Sequence, residues 1–211
     1  MLSRAAIADD VDRVTETIRL AFLGDPVWSI ALARLDGSTV HLDGYWRLYV
    51  EGALRYSTVF MTEDASAVSV WVPPDGTELS EAQEAALEQV IRTNLEPKTV
   101  RALFELWDRF GANHPRQEPH AYLSLLATHP VHRGHGLGQK LLSEDLARFD
   151  SQGLAAYLES TNPGNDHRYE RAGFKRIGGF KAVLNDVPIT TMWRPTQKRD
   201  QPEPPWNPER L

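Results

Sequence analysis

The chain of 211 residues has no cysteine, which removes disulfide frameworks, thiolate metal sites and cysteine nucleophiles from what it can do. No apolar run approaches the ~20 residues that a membrane-crossing helix needs. Asp9, Asp10 and Asp12 stand where a secretory leader would continue apolar. A cytoplasmic protein with no membrane partner is expected. Basic charge is also in short supply, with 23 Lys and Arg against 29 Asp and Glu and a formal net charge of -6. A general nucleic-acid binder needs a cationic face to neutralise phosphates, so no nucleic-acid partner is expected, whereas a cationic substrate suits the balance. The length suits one large domain, with no internal repeat or second domain visible.

What is present is organised around residues 122–146, YLSLLATHPVHRGHGLGQKLLSEDL. Strand-type residues (122–128) meet a His-Pro turn, then Arg133-Gly134-His135-Gly136-Leu137-Gly138-Gln139. An amphipathic pattern follows through Leu137, Leu141, Leu142, Leu146 and Phe149. Strand, glycine loop, helix is an arrangement that aims unpaired backbone N–H groups and the positive end of the helix dipole at one spot, where phosphate binds well. Glycines let the backbone curl and approach a ligand, and Arg133 adds a charge-assisted contact. A Walker loop is excluded because Lys140 follows Gln139 and precedes Leu141. The dinucleotide fingerprint is a poor match, since the glycines fall at Gly134-x-Gly136-x-Gly138. A glycine-rich turn without a ligand has the same composition. The spacing Arg-x-x-Gly-x-Gly of Arg133, Gly136 and Gly138 resembles the acetyl-CoA pyrophosphate loop of the GNAT N-acetyltransferase superfamily.

Along the chain, residues 2–7 read as a strand and 8–23 as a helix stopped by Gly24-Asp25-Pro26. Residues 27–42 are irregular, and 45–56 read as an aromatic-rich helix. Trp28, Tyr45, Trp46 and Tyr49 suit a pocket lining or simple core packing. Residues 57–61 and 67–72 read as a hairpin ending in Trp71. Two helices (80–93 and 97–111) follow, the second packing on the sheet or over a substrate cleft. A strand (154–159), a helix (165–172) with Asn165 as N-cap, and two strands (176–184 and 189–194) complete the pattern. Residues 195–211, proline-rich and aperiodic, read as a disordered tail beyond a domain of residues 1–194.

Further blocks strengthen the resemblance. They are Ala21-Phe22 with Asp25-Pro26, the Trp71 strand, and Tyr157-Leu158-Glu159-Ser160 with Asn165, Tyr169-Glu170-Arg171 and Gly173-Phe174. Together they look like the puromycin N-acetyltransferase branch. The resemblance implies a mixed α/β (α+β) sheet with splayed central strands and acetyl-CoA as cofactor. Backbone groups of Leu126, Ala127 and Thr128 would hold the pantetheine arm, residues 133–139 the pyrophosphate, and Asn165 the thiol end. Tyr169 would be the general acid, a role suited to a phenol of pKa about 10. A backbone N–H at or near Leu126 would stabilise the oxyanion.

The base is less determined. An alkyl ammonium of pKa about 10 is neutral at pH 7 at a cost of roughly 4 kcal/mol, so a base matters. The carboxylate that some family members place early on the central strand is replaced here by Tyr122. Glu159 and His120 are the candidates, with a water relay between them a further arrangement. Either could instead be structural. His129, His132 and His135 lack helical i,i+4 pairing, and no metal site is expected. The expected reaction is acetyl transfer to a primary amine of a small molecule, antibiotic or aminoacyl-nucleoside-like, with Trp28, Tyr45 and Trp71 contacting it. A protein N-terminus or lysine is the alternative acceptor, and a non-catalytic acyl-CoA-binding module the alternative class. Monomer and homodimer are both open.

Overall fold

The computed structural model describes residues 3–197. The expected disordered tail lies outside the described residues apart from 195–197. Seven strands form one mixed sheet in the order β1 (Arg4–Ala5), β2 (Val59–Met61), β3 (Ala67–Val72), β4 (His120–Thr128), β5 (Ala155–Ser160), β7 (Pro188–Arg194), β6 (Lys175–Lys181). All neighbours are antiparallel except β4 and β5. A parallel pair needs a crossover, and helix α6 (Leu137–Ser151) supplies it. Helices α1 (Val11–Phe22), α2 (Trp28–Ala31), α3 (His41–Leu54), α4 (Glu81–Asn94) and α5 (Pro97–Asn113) share one core with a face of the sheet. On the other face a second core gathers α6 and, through Tyr169, α7 (Asp166–Arg171). Among the described residues no helix is long and apolar enough to cross a membrane.

Local chemistry explains the elements. Val11, Val14 and Ile18 recur at helical spacing and are buried in α1. Ahead of it, Asp10 accepts from the Ile7 amide at 3.0 Å and from both Arg4 Nη atoms at 2.6 and 2.8 Å. Helix α4 opens on a capping box, with the Ser80 amide donating to Gln83 and the Gln83 amide returning to Ser80 Oγ. Pro97 starts α5, where its missing N–H costs nothing. In α6 the apolar stripe Leu141, Leu142, Leu146 and Phe149 is buried, which stabilises by roughly 1.5–3 kcal/mol per side chain. Its polar exception is Asp145, which accepts from Ser69 Oγ (2.6 Å), Trp71 Nε1 (3.0 Å) and Arg148 Nη1 (2.6 Å).

Boundaries differ from the expected ones in instructive places. Helix α3 begins at His41, not near residue 45, because the His41 ring bonds the Leu32 carbonyl at 2.9 Å and secures an extra turn. The segment 27–42 holds the short α2, pinned by Asp25 Oδ1 accepting from the amides of Val27 and Trp28. Strand β6 ends at Lys181 because Ala182 donates to Val187 and Asp186 takes a left-handed φ of 57°, closing the hairpin early. The first strand shortens to Arg4–Ala5.

Two features of β4 create the site. It pairs with β5 only from His120 to Leu123. Beyond that point β5 continues against β7 through Ser160, while β4 continues against β3 through Thr128. The strands part, leaving the β5-facing edge of residues 124–128 without a strand neighbour. Val70 pairs with Leu125 and Trp71 with Leu123, so Ser124 is an extra residue in the ladder. Such a bulge inverts the faces taken by successive side chains. Ala121 and Leu123 pack on the α6 side, whereas Leu125 and Ala127 pack in the opposite core.

Candidate active site

At the far end of the splay, a turn at Pro130–His132 leads into the glycine loop. Gly134 and Gly136 take φ of 86° and 72°, a region that other residues enter only with strain. A Cβ on Gly138 would sit 2.8 Å from Thr128 Oγ1, so the bare position lets the helix start against β4 without displacing that hydroxyl. The first helical bond of α6 runs from the Lys140 amide to the Gly136 carbonyl at 3.0 Å. The amides of residues 134–139 donate to no protein group among the described residues. That set of open donors fits a diphosphate. The Arg133 guanidinium donates to the Ala21 carbonyl at 3.0 Å, which ties the loop to the end of α1.

Where β4 and β5 separate, a cleft of about 1160 Å³ opens, lined by Leu126, Glu159, Asn165 and Tyr169 among others. Glu159, last but one in β5, has a side chain only 2% exposed, and neither carboxylate oxygen accepts a hydrogen bond among the described residues. Its near neighbour is His114, just past α5, with Nδ1 3.7 Å from Glu159 Oε1. His114 Nε2 in turn lies 3.1 Å from His120 Nε2. His120 Nδ1 lies 2.7 Å from the Glu118 carbonyl, which can only accept. That assigns the His120 proton to Nδ1 and leaves Nε2 to accept from His114. Burial pushes the His120 imidazole below its ordinary value, in keeping with that neutral role. The water relay considered between Glu159 and His120 is occupied by a side chain, His114.

A second acid reaches the same place from the loop between β3 and α4. Glu78 accepts from Ser124 Oγ, the residue that the bulge displaces. Burial raises the Glu78 carboxyl to about 7, opposed by the Ser124 bond and reinforced by the charge of Glu159. Tyr122 is likewise held well above its usual value by burial, with Glu159 and Glu78 adding to it.

Tyr169 lines the cleft from α7, its ring edge-on to Phe174 at 6.2 Å. Burial raises its phenol to about 12, with Asp25 and Asp166 contributing, so it holds its proton at neutral pH. Asp25 clamps this corner, accepting from Thr161 Oγ1 at 2.7 Å as well as from α2. Asn165 stands in the cleft wall, but the side chain that caps a turn here is that of Asn162, which accepts from the Gly164 amide.

An aromatic wall completes the cleft. Trp28 stacks on Phe110 at 6.0 Å and 8°, and Trp107 and Phe104 stand nearby on α5. Two expected substrate contacts are corrected. Tyr45 is fully buried behind Trp46 and Tyr49 and does not line the cleft. Trp71 is fully buried on the α6 side, bonded to Asp145 and packed on Phe149 at 4.7 Å. Alternation along β3 sends Ser69 and Trp71 one way and Val70 the other, so Trp71 cannot reach the cleft. The residues that sequence reasoning missed are Glu78, His114 and Ser124.

Residues 100–174 match the family model described as Acetyltransferase (GNAT) family. The matched span holds the loop, Glu159, Asn165 and Tyr169. Solved structures agree along nearly the whole chain. One, from Corynebacterium glutamicum and described as histone acetyltransferase HPA2 and related acetyltransferase, is 22% identical, covers 94% of this chain and 97% of its own, and gives a TM-score of 0.65. Arylalkylamine N-acetyltransferase 2 from Aedes aegypti is 14% identical over 93% of this chain and 99% of its own, with a TM-score of 0.63. The NatC complex bound to Gag peptide and CoA gives 14%, 93%, 98% and 0.54 for the same quantities. The chain has the fold of these GNAT acetyltransferase structures, and its residues 100–174 match that family's model.

Proposed function

We propose that the protein transfers the acetyl group of acetyl-CoA to a primary amine of a small cationic molecule, antibiotic or aminoacyl-nucleoside-like, directly in a ternary complex. The observation that carries this reading is that open loop amides and a buried acid set occupy the two ends of one splay. The amides of residues 134–139 and Arg133 bind the diphosphate. The unpaired edge of β4 from Ser124 to Thr128 orients the pantetheine arm, with Leu126, Ala127 and Thr128 supplying backbone groups, and Asn165 contacts its thiol end. The thioester would then lie between Tyr169 and Glu159, both of which line the cleft.

Each side chain then has one proton to handle. Glu159 attracts the ammonium and takes its proton, with His114 beside it at 3.7 Å and the neutral His120 behind His114 at 3.1 Å. Glu78 adds a second carboxylate to that pocket. A backbone N–H on the open edge of β4 donates to the carbonyl oxygen as charge gathers there. Tyr169 gives its proton to the departing thiolate. Without a cysteine no thioester intermediate forms on the enzyme, which is in keeping with direct transfer.

The test is a panel of amines with acetyl-CoA, following free thiol. The chain itself contributes no thiol background, having no cysteine. Thiol release with small amines and none with peptides supports the reading. Release with peptides alone would transfer the activity to protein acceptors. Acetyl-CoA binding with no release from any amine would support a non-catalytic binder.

A further inference from the structure

The cleft is strongly one-sided in charge. Among the described residues eight carboxylate side chains line it against a single guanidinium, that of Arg116. Two of the acids, Glu159 and Glu78, lie deep beside the proposed reaction centre. Glu81 and Glu84 stand at the mouth, on the first turn of α4 and three residues apart, so both project from one helix face. Other lining acids have partners: Glu88 binds Arg92 at 2.6 Å and Asp25 binds Thr161 at 2.7 Å. Glu81 and Glu84 accept from no side chain among the described residues. A position in a first helical turn favours acids in general. It does not account for Asp75 and Glu118, which stand at the same cleft from two other loops.

Independently, Glu159 is 2% exposed, its oxygens accept no hydrogen bond among the described residues, and it lines the same cleft, with the partly exposed His114 at 3.7 Å as its one ion-pair contact, so a cation is called for at depth. The same cleft is lined by Trp28, Phe104, Trp107 and Phe110, a wall that suits methylene groups and tolerates a cation over its rings. We propose that the acceptor carries at least two ammonium groups, one at the buried acids where transfer occurs and a second held by Glu81 and Glu84. The substrate class is then a di- or oligoamine with apolar spacers. This rests on the acetyltransferase reading above and narrows its acceptor.

The experiment compares the full-length protein with acetyl-CoA on terminal diaminoalkanes and on monoaminoalkanes of equal length, by thiol release at low and high salt. Two partly exposed ion pairs predict kcat/KM about tenfold higher for diamines, expressed in KM. That advantage shrinks as salt screens the mouth. In the Glu81→Gln/Glu84→Gln double variant the diamine-to-monoamine ratio falls at least about fivefold. Equal kcat/KM for the two wild-type series, or a ratio unmoved by the double variant, overturns the second-ammonium inference while leaving acetyl transfer standing. Acetyl-CoA binding without thiol release from any amine overturns both.

Discussion

Replacing Glu159 by Gln keeps the shape of a side chain that is 2% exposed and removes its charge. Neither oxygen accepts a hydrogen bond among the described residues, and an ionised carboxylate held this way costs several kcal/mol of lost hydration. The opposing contribution is attraction to His114 at 3.7 Å, worth about 4 kcal/mol at an effective dielectric of about 20 when the imidazole is charged. Removing one partner of a buried pair normally strands the other. Here His114 is 30% exposed, so solvent reaches it and screens what the substitution leaves behind. The substitution also relieves Glu78, whose carboxyl the charge of Glu159 pushes up. The balance favours the variant by about 1 kcal/mol, a rise in Tm of roughly 2–4 °C for a chain of this size. Meanwhile kcat/KM falls ~10²–10⁴-fold with the loss of the base. Calorimetry and thiol release on the same preparation read both. A variant that melts several degrees lower and keeps its activity would show Glu159 to be a structural carboxylate and refute the assignment.

Tyr169→Phe keeps the packing against Phe174, so Tm and the acetyl-CoA Kd should hardly move while kcat drops ~10²–10⁴-fold; calorimetric titration and steady-state kinetics separate the two. Gly136→Ala puts a Cβ on a residue at φ 72°, which costs about 1–2 kcal/mol and should weaken acetyl-CoA about tenfold with kcat at saturation retained. Glu78, raised from 4.5 to about 7, predicts a kcat that climbs with pH through about 7, and Glu78→Gln should abolish or shift that limb. Stability has a definite sign as well. Because the folded value lies above the unfolded one, Glu78 favours the fold at pH below 4.5 and loses that contribution as pH rises to about 7. Urea titrations at pH 5 and 8 should show the wild type losing more stability than the Gln variant.

The loop was legible because its signal is local. Three spaced glycines and a following apolar stripe need no partner elsewhere in the chain to be read, and Gly134 and Gly136 adopt the left-handed φ that their lack of a side chain permits. The strand and helix order was legible for the same reason. The acid pocket was not. Glu78 lies 46 residues from Ser124, which it meets, and His114 stands in the connection between α5 and β4, where no periodic pattern marks it. What joins them is the bulge at Ser124 and the parting of β4 from β5, neither of which leaves a mark in hydrophobic periodicity. Trp71 was misplaced because β3 is buried at every position. In such a strand, alternation of burial does not tell which face meets the cleft.

The account stands on the seating of one diphosphate, and a crystal structure of the acetyl-CoA complex tests it most directly. The diphosphate should lie on the amides of residues 134–139, with the acetyl carbonyl at the open edge of β4 between Glu159 and Tyr169. A complex with those amides bonded to protein groups, or with the acetyl group outside the cleft between β4 and β5, would contradict it.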